Sequence, residues 1–189
     1  MGDWREQLAR ALGTARVIAV MGIGNEMMGD DAAGVLLVRD LKKLVPAARQ
    51  GARIHLFECS TTPENFTGAV ARAKPDAVLM VDSAEMRAAV GEVRLLDAAA
   101  MQTMMHSTHT MPLSFLAGYI ERTASTTVLA LGIQAGQIML DQPVSRPVAA
   151  SVKQAARDIA AIICGRKPRT AKRVAAKRTR RASRPKHRK

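Results

Sequence analysis

Apolar positions along this chain follow two rhythms that alternate from the N-terminus onward. Short unbroken aliphatic runs, Arg16–Met21 (RVIAVM) and Ala77–Val81 (AVLMV), suit a strand and are too short for a helix. Between such runs, apolar residues recur every three or four positions: Val35, Val38, Leu41 and Val45 make one stripe, which Leu37 and Leu44 widen. Taken in order, the pattern predicts a helix over Asp3–Leu12 with Trp4, Leu8 and Leu12 on one side. The strand at Arg16–Met21 then runs through Gly22-Ile23-Gly24-Asn25 into a helix whose mouth carries Asp30 and Asp31. Arg53–Phe57 alternates as a second strand, and Thr62 as N-cap with Pro63 in the first turn opens a helix to Ala73. Ala77–Val81 reads as a strand buried on both faces and ended by Asp82. Val93–Leu96 fits an edge strand, Asp97–Met105 a helix, and His106–Thr110 an irregular loop. Pro112 opens a helix to Arg122, Thr127–Leu131 is a strand stopped by Gly132, and Ser145-Arg146-Pro147 starts a helix to Ile163 closed by Gly165. Strands alternating with helices predict an α/β fold: a three-layer α/β/α sandwich around a doubly wound, mostly parallel sheet of about five strands.

Composition narrows the function classes. At 189 residues and 48% apolar, the chain can build a core without staples, and 3% aromatic content argues against a base-stacking surface. No apolar run approaches about twenty residues, and the first turns are polar and acid-containing, so neither a membrane span nor a secretory signal is expected. Cys59 and Cys164 form no CxxC, which leaves no basis for a disulfide framework or a zinc site. A cytoplasmic monomer is the expectation.

The net charge of +13 is unevenly spread. Gly165–Lys189 holds 13 of the 29 basic residues and none of the 16 acidic ones, so residues 1–164 carry 16 of each sign. That division predicts a formally neutral α/β domain over 1–164 and a disordered basic tail over 165–189.

Asp31 follows the first strand, Asp82 ends the apolar strand, and His109 precedes the Pro112 helix. In a doubly wound sheet the loops after parallel strands open on one edge, where ligands bind. Two carboxylates and an imidazole there form an O,O,N set for a borderline divalent ion such as nickel or zinc, with positions left for outside ligands. Simpler readings stand beside this one. Asp30 or Asp31 also fits a helix cap, Asp82 a loop cap, and His106 competes with His109. His55 is an ordinary strand residue; Met27, Met28, Met101, Met104 and Met105 suit core or pliable surface; Glu26 and Glu85 suit solvent.

Taken together, GIGNEMMGDDAAG (22–34), STTPEN (60–65), VLMVDSAEM (78–86), STHTMPLSFL (107–116) and LGIQ (131–134) resemble the maturation endopeptidases of nickel–iron hydrogenases. The likeness runs over residues 16–163 and is strongest to the branch serving the formate-hydrogenlyase type enzyme. It implies a peptidase that removes the C-terminal extension of a hydrogenase large-subunit precursor once nickel has been inserted. It also implies that Asp31, Asp82 and His109 contact nickel belonging to the substrate, for which zinc or cadmium could stand in, rather than a tightly held metal. Two routes are then open: the ion polarises the scissile carbonyl or activates a water, or Asp31 or Asp82 serves as general base. The chain departs from the resemblance at Glu58-Cys59-Ser60, where relatives carry Asp-Gly-Gly, and in its basic tail.

Two rival readings differ in class. A nucleotide-binding domain would use Gly22-Ile23-Gly24, but the dinucleotide fingerprint wants glycine at Met27, and carboxylates at the helix mouth repel a pyrophosphate. A nucleic-acid or polyanion binder would act through the tail in a salt-dependent, sequence-blind way; a merely solvated tail, with only incidental contact to nucleic acid or an acidic partner, is the plainer alternative. Deleting Gly165–Lys189 separates them: peptide cleavage should persist in full, whereas a polyanion binder should lose binding in a filter-retention titration.

Overall fold

Strands whose sequence is continuously apolar lie at the centre of the sheet, because only there are both faces covered. The computed structural model describes residues 3–46, 53–97, 100–101 and 112–165. Strand β1 (Ile18–Ile23) and strand β3 (Ala77–Ala84) are buried at every position. They pair in parallel, Ile18 opposite Ala77 through Gly22 opposite Val81. With β2 (Ile54–Ser60), β4 (Val93–Leu96) and β5 (Thr127–Gln134) they form a five-stranded sheet of order β2-β1-β3-β5-β4. Four strands are parallel, and β4 closes the edge antiparallel to β5.

Among the described residues five helices cover the two faces: α1 (Trp4–Ala11), α2 (Ala33–Leu44), α3 (Thr67–Ala73), α4 (Leu113–Ala124) and α5 (Arg146–Ile163). Ile18, Val20, Leu79 and Val81 pack with α1, α2 and α5, and the alternate residues Ala19, Met21, Val78 and Met80 pack with α3 and α4. The α/β fold and mostly parallel sheet are those the sequence predicts. The chain leaves β1 through α2 on one face to reach β2, then returns through α3 on the other face to β3. The carboxyl ends of β1 and β3 are therefore the topological switch point, where a crevice opens in such sheets. Among the described residues no helix is long and apolar enough to cross a membrane.

Several local expectations are corrected. Gly132 does not stop β5, which continues to Gln134; a Cβ at that position would lie 2.9 Å from Leu96 Cδ1 and 3.0 Å from Ala84 Cβ, so glycine makes room for side chains within the sheet. Likewise β3 passes through Asp82 to Ala84, and β2 extends past Phe57 to Ser60. Thr62 makes no side-chain cap; the segment enters as a 3-10 turn over Pro63–Phe66, and Thr67 Oγ1 donates to the Glu64 carbonyl at 2.8 Å. Leu44 is exposed at the far end of α2, although Val35, Leu37, Val38, Leu41 and Val45 are buried as the stripe requires. Met27 is exposed and Met101 buried. Most of Asp97–Met105 and all of His106–Thr110 lie outside the described residues, as does the basic tail beyond Gly165.

The entry of α2 is pressed directly onto the sheet. A Cβ on Gly34 would stand 2.1 Å from the Val81 carbonyl oxygen and 2.4 Å from that of Ile23. Both obstacles are backbone of central strands and cannot step aside. Gly34→Ala would gain up to about 1 kcal/mol of helix propensity, but lifting α2 off β1 and β3 disrupts a buried stripe worth about 1.5–3 kcal/mol per large side chain. The net is expected to be a loss of about 2 kcal/mol or more by urea unfolding; native or higher stability would show that the helix can shift freely.

Candidate functional site

At the end of β1 the chain turns back on itself so tightly that a side chain could not fit. Gly24 has φ +135°, and a Cβ there would fall 1.8 Å from the Asp31 carbonyl oxygen. This approach places the 3-10 turn Gly29–Ala32 over the switch point, with Asp30 and Asp31 both fully buried. Their carboxylates do different work.

Asp30 faces the loop after β5. Its Oδ2 accepts from Gly136 N at 2.8 Å, Gln137 N at 3.0 Å and Ser145 Oγ at 3.0 Å, and its Oδ1 accepts from Ser145 N at 2.7 Å. Burial pushes its pKa up, but the Ser145, Gly136 and Gln137 donors outweigh burial and hold it below the usual value. Asp30 is therefore an anionic strut that joins two loops and the start of α5.

Asp31 faces β3. Its Oδ2 accepts from Asn25 N at 2.9 Å, and its Oδ1 accepts from the Ser83 hydroxyl at 2.8 Å. Ser83 also donates its backbone N–H to Asp82 Oδ1 at 2.8 Å, so one serine links both carboxylates. Asp82 is completely buried, and its Oδ2 has no hydrogen-bond partner among the described residues. Desolvation first, and the nearby Asp31 charge second, raise its pKa well above 3.8, against the opposing Ser83 N–H. An orphaned, desolvated carboxylate oxygen beside a second carboxylate suits a cation.

The structure thus brings Asp31 and Asp82 together. His109 and His106 lie outside the described residues, and among those described no three His, Cys, Asp or Glu side chains form a metal-binding group. Carboxylates occupy the mouth of α2, where a nucleotide phosphate would have to sit.

Other candidates resolve into structural roles. Cys59 is buried, and desolvation pushes its thiol up to about 12, so it carries almost no thiolate at neutral pH. Glu26 and Glu85 are exposed, as expected, and also have partners: Glu26 takes two bonds from Arg39 at 2.7 and 2.9 Å, and Glu85 accepts from Gln134 Nε2 at 3.2 Å. Ser83 and Gln134 are positioning residues that residue-type reasoning missed. Gln134 Oε1 accepts from Met86 N at 2.7 Å and Ala88 N at 3.2 Å, clamping the chain after β3. The available signal was a polar residue continuing an otherwise apolar strand, at both Ser83 and Gln134.

Comparison with known proteins gives a consistent picture. The family model described as hydrogenase maturation protease matches residues 35–165. The hydrogenase 3 maturation protease of Escherichia coli is 33% identical over 132 residues, covering 69% of this chain and 81% of that one. A Methanocaldococcus jannaschii protein named for the same maturation activity is 33% identical over 133 residues, covering 69% of this chain and 79% of that one. The crystal structure of a [NiFe] hydrogenase maturation protease, HycI, from Thermococcus kodakarensis superposes with a TM-score of 0.75 at 30% identity, covering 84% of this chain and 99% of that one.

Burying Asp82 beside Asp31 has a measurable cost. Because the folded state binds the Asp82 proton more tightly than the unfolded state, this residue's contribution is most favourable below about pH 3.8 and is lost as pH rises through the raised folded value. Asp82→Asn mimics the neutral acid at all pH values. Its stability should exceed that of the native chain at pH 7, with the difference closing as pH falls toward 4. Urea unfolding at both pH values checks this; a less stable variant at pH 7 would contradict the electrostatic reading.

Proposed function

The chain belongs to the hydrogenase maturation protease family and is a peptidase, and from that premise we propose that it removes the C-terminal extension of a nickel–iron hydrogenase large-subunit precursor after nickel insertion. The reading assigns recognition of the precursor's nickel to Asp31, Asp82 and His109, and places the work in the cytoplasm. The observation that carries it is the buried Asp82 Oδ2, without a partner among the described residues, beside Asp31 at the switch point.

The physical logic is electrostatic. Two carboxylates buried side by side disfavour a second negative charge, and a divalent cation offered by the precursor relieves that repulsion. Ser83 holds both carboxylates in place beforehand, so little ordering is needed when the ion arrives. A precursor without nickel offers nothing to complete the set, so scissile-bond binding waits on metal insertion. Hydrolysis then adds water across one peptide bond, its oxygen to the carbonyl carbon and a proton to the leaving nitrogen. Asp82, whose pKa is raised by burial and by Asp31, is suited to taking a proton from that water if it acts as base. Cadmium or zinc in place of nickel would meet the same oxygen and nitrogen donors. Cys59 is excluded as nucleophile by its high pKa.

Incubation with nickel-loaded and nickel-free precursor, followed by intact mass, tests the reading. The loaded precursor should lose its extension and the nickel-free one should not. Asp82→Asn and His109→Ala should each slow cleavage by about 100-fold or more, whereas Cys59→Ser should stay within about twofold of native. Equal cleavage of both precursors would overturn nickel gating, and unimpaired cleavage by either variant would remove that residue from the site.

A further inference from the structure

Strands β1 and β5 flank β3 on its two sides at the loops' end of the sheet: β1 pairs with β3 directly, and so does β5. The loops that follow β1 and β5 meet beside the carboxyl end of β3, where Asp82 lies. Asp30 ties them through its four hydrogen bonds to Gly136, Gln137 and Ser145. Asp30 N donates to the Gln137 carbonyl at 2.9 Å, Asp141 N donates to the Met27 carbonyl at 2.8 Å, and Met28 bridges to Gln142. The rim so formed is a fixed feature rather than two independent loops.

This rim displays large aliphatic side chains to water. Met27 is 60% exposed, Met139 58% and Leu140 60%, far more than apolar residues held in a pinned frame need to be. The turn bearing two of them is set by Asp141, directly after Leu140, which takes a left-handed φ of +55° and donates its N–H to the Met27 carbonyl.

We infer that Met27, Met139 and Leu140 form a docking lip for an apolar segment of the precursor next to the bond to be cut. The inference rests on the peptidase reading above and adds where substrate is gripped. Its physical basis is continuity: Asp30, the strut under the lip, is the chain neighbour of Asp31, so lip and carboxylate pair are built on one turn. A polypeptide presented to Asp82 must pass this rim, and flexible Met side chains adapt to aliphatic partners of varied shape. Seating there shields both surfaces from water.

Steady-state cleavage of nickel-loaded precursor tests the lip. Met139→Ser with Leu140→Ser should raise KM by about tenfold or more while kcat at saturation and thermal stability stay native. The swap Met139→Leu with Leu140→Met preserves apolar surface and should keep KM within about twofold. Leu44→Ser removes exposed apolar area at the opposite edge of the sheet and should leave KM unchanged. An unchanged KM in the double-serine variant overturns the lip. A concentration-dependent dimer in sedimentation that this variant dissolves, with KM unaltered, also overturns it and assigns the patch to a second copy. Asp82→Asn run alongside keeps the two readings apart. It should lower kcat/KM whatever the state of the lip, so a normal kcat/KM in that variant would count against the carboxylate reading and leave the comparison of lip variants intact.

Discussion

Two carboxylates buried side by side, Asp31 and Asp82, are the constraint around which this site is arranged. Asp31 arrives from the loop after β1, and Asp82 sits in the neighbouring parallel strand β3. Their closeness is therefore fixed by sheet pairing and cannot relax by side-chain motion alone. In a low-dielectric setting repulsion between like charges is much stronger than in water, and the fold offsets it only in part. Ser83 donates one hydrogen bond to each carboxylate, which leaves Asp82 Oδ2 without a partner among the described residues. A fold under selection for stability alone would have placed a neutral side chain at position 82. A buried acid retained there beside Asp31 is the mark of a site that suits a cation.

The contrast between Asp30 and Asp31 sharpens this point. Both occupy one 3-10 turn, both are buried, and from residue type alone they are interchangeable. Hydrogen-bond donors separate them. Asp30 receives four, enough to overcome desolvation and keep it ionised, so its charge is consumed in joining loops. Asp31 receives two and spends one of them on the link to β3. Adjacent acids thus divide into a strut and a member of the carboxylate pair.

The layered architecture was legible in the sequence because buried parallel strands and amphipathic helices leave unmistakable periodicities, as in β1, β3 and α2. Strand ends were not. Gly132 and Asp82 read as terminators, since glycine and aspartate are poor strand formers, yet both lie inside strands where neighbouring side chains demand small volume or the site demands charge. Thr62 offered a cap by type, but backbone geometry there starts a 3-10 turn instead. Pairing Asp31 with Asp82 followed from the parallel topology. The role of Ser83 did not, because a hydroxyl's partners are set by distances of a few tenths of an ångström that no spacing rule encodes.

The segment Glu58-Cys59-Ser60 sets the chain's path beside the turn at Gly24. The register with β1 slips there, Gly22 opposite Glu58 and Ile23 opposite Ser60, which leaves Cys59 as the extra residue of a bulge. Cys59 turns into the core against the α3/α4 face, while Glu58 is held by Arg39 at 2.8 Å and Lys42 at 2.8 Å. Ser60 takes φ +49°, the left-handed conformation that glycine adopts freely and that costs another residue about 1–2 kcal/mol. Its carbonyl accepts from Gly24 N at 3.1 Å, at the turn that brings Asp31 inward. The Ser60 backbone holds this conformation although its side chain resists it. The path of the chain beside Gly24 matters because Gly24 is where the turn brings Asp31 toward Asp82.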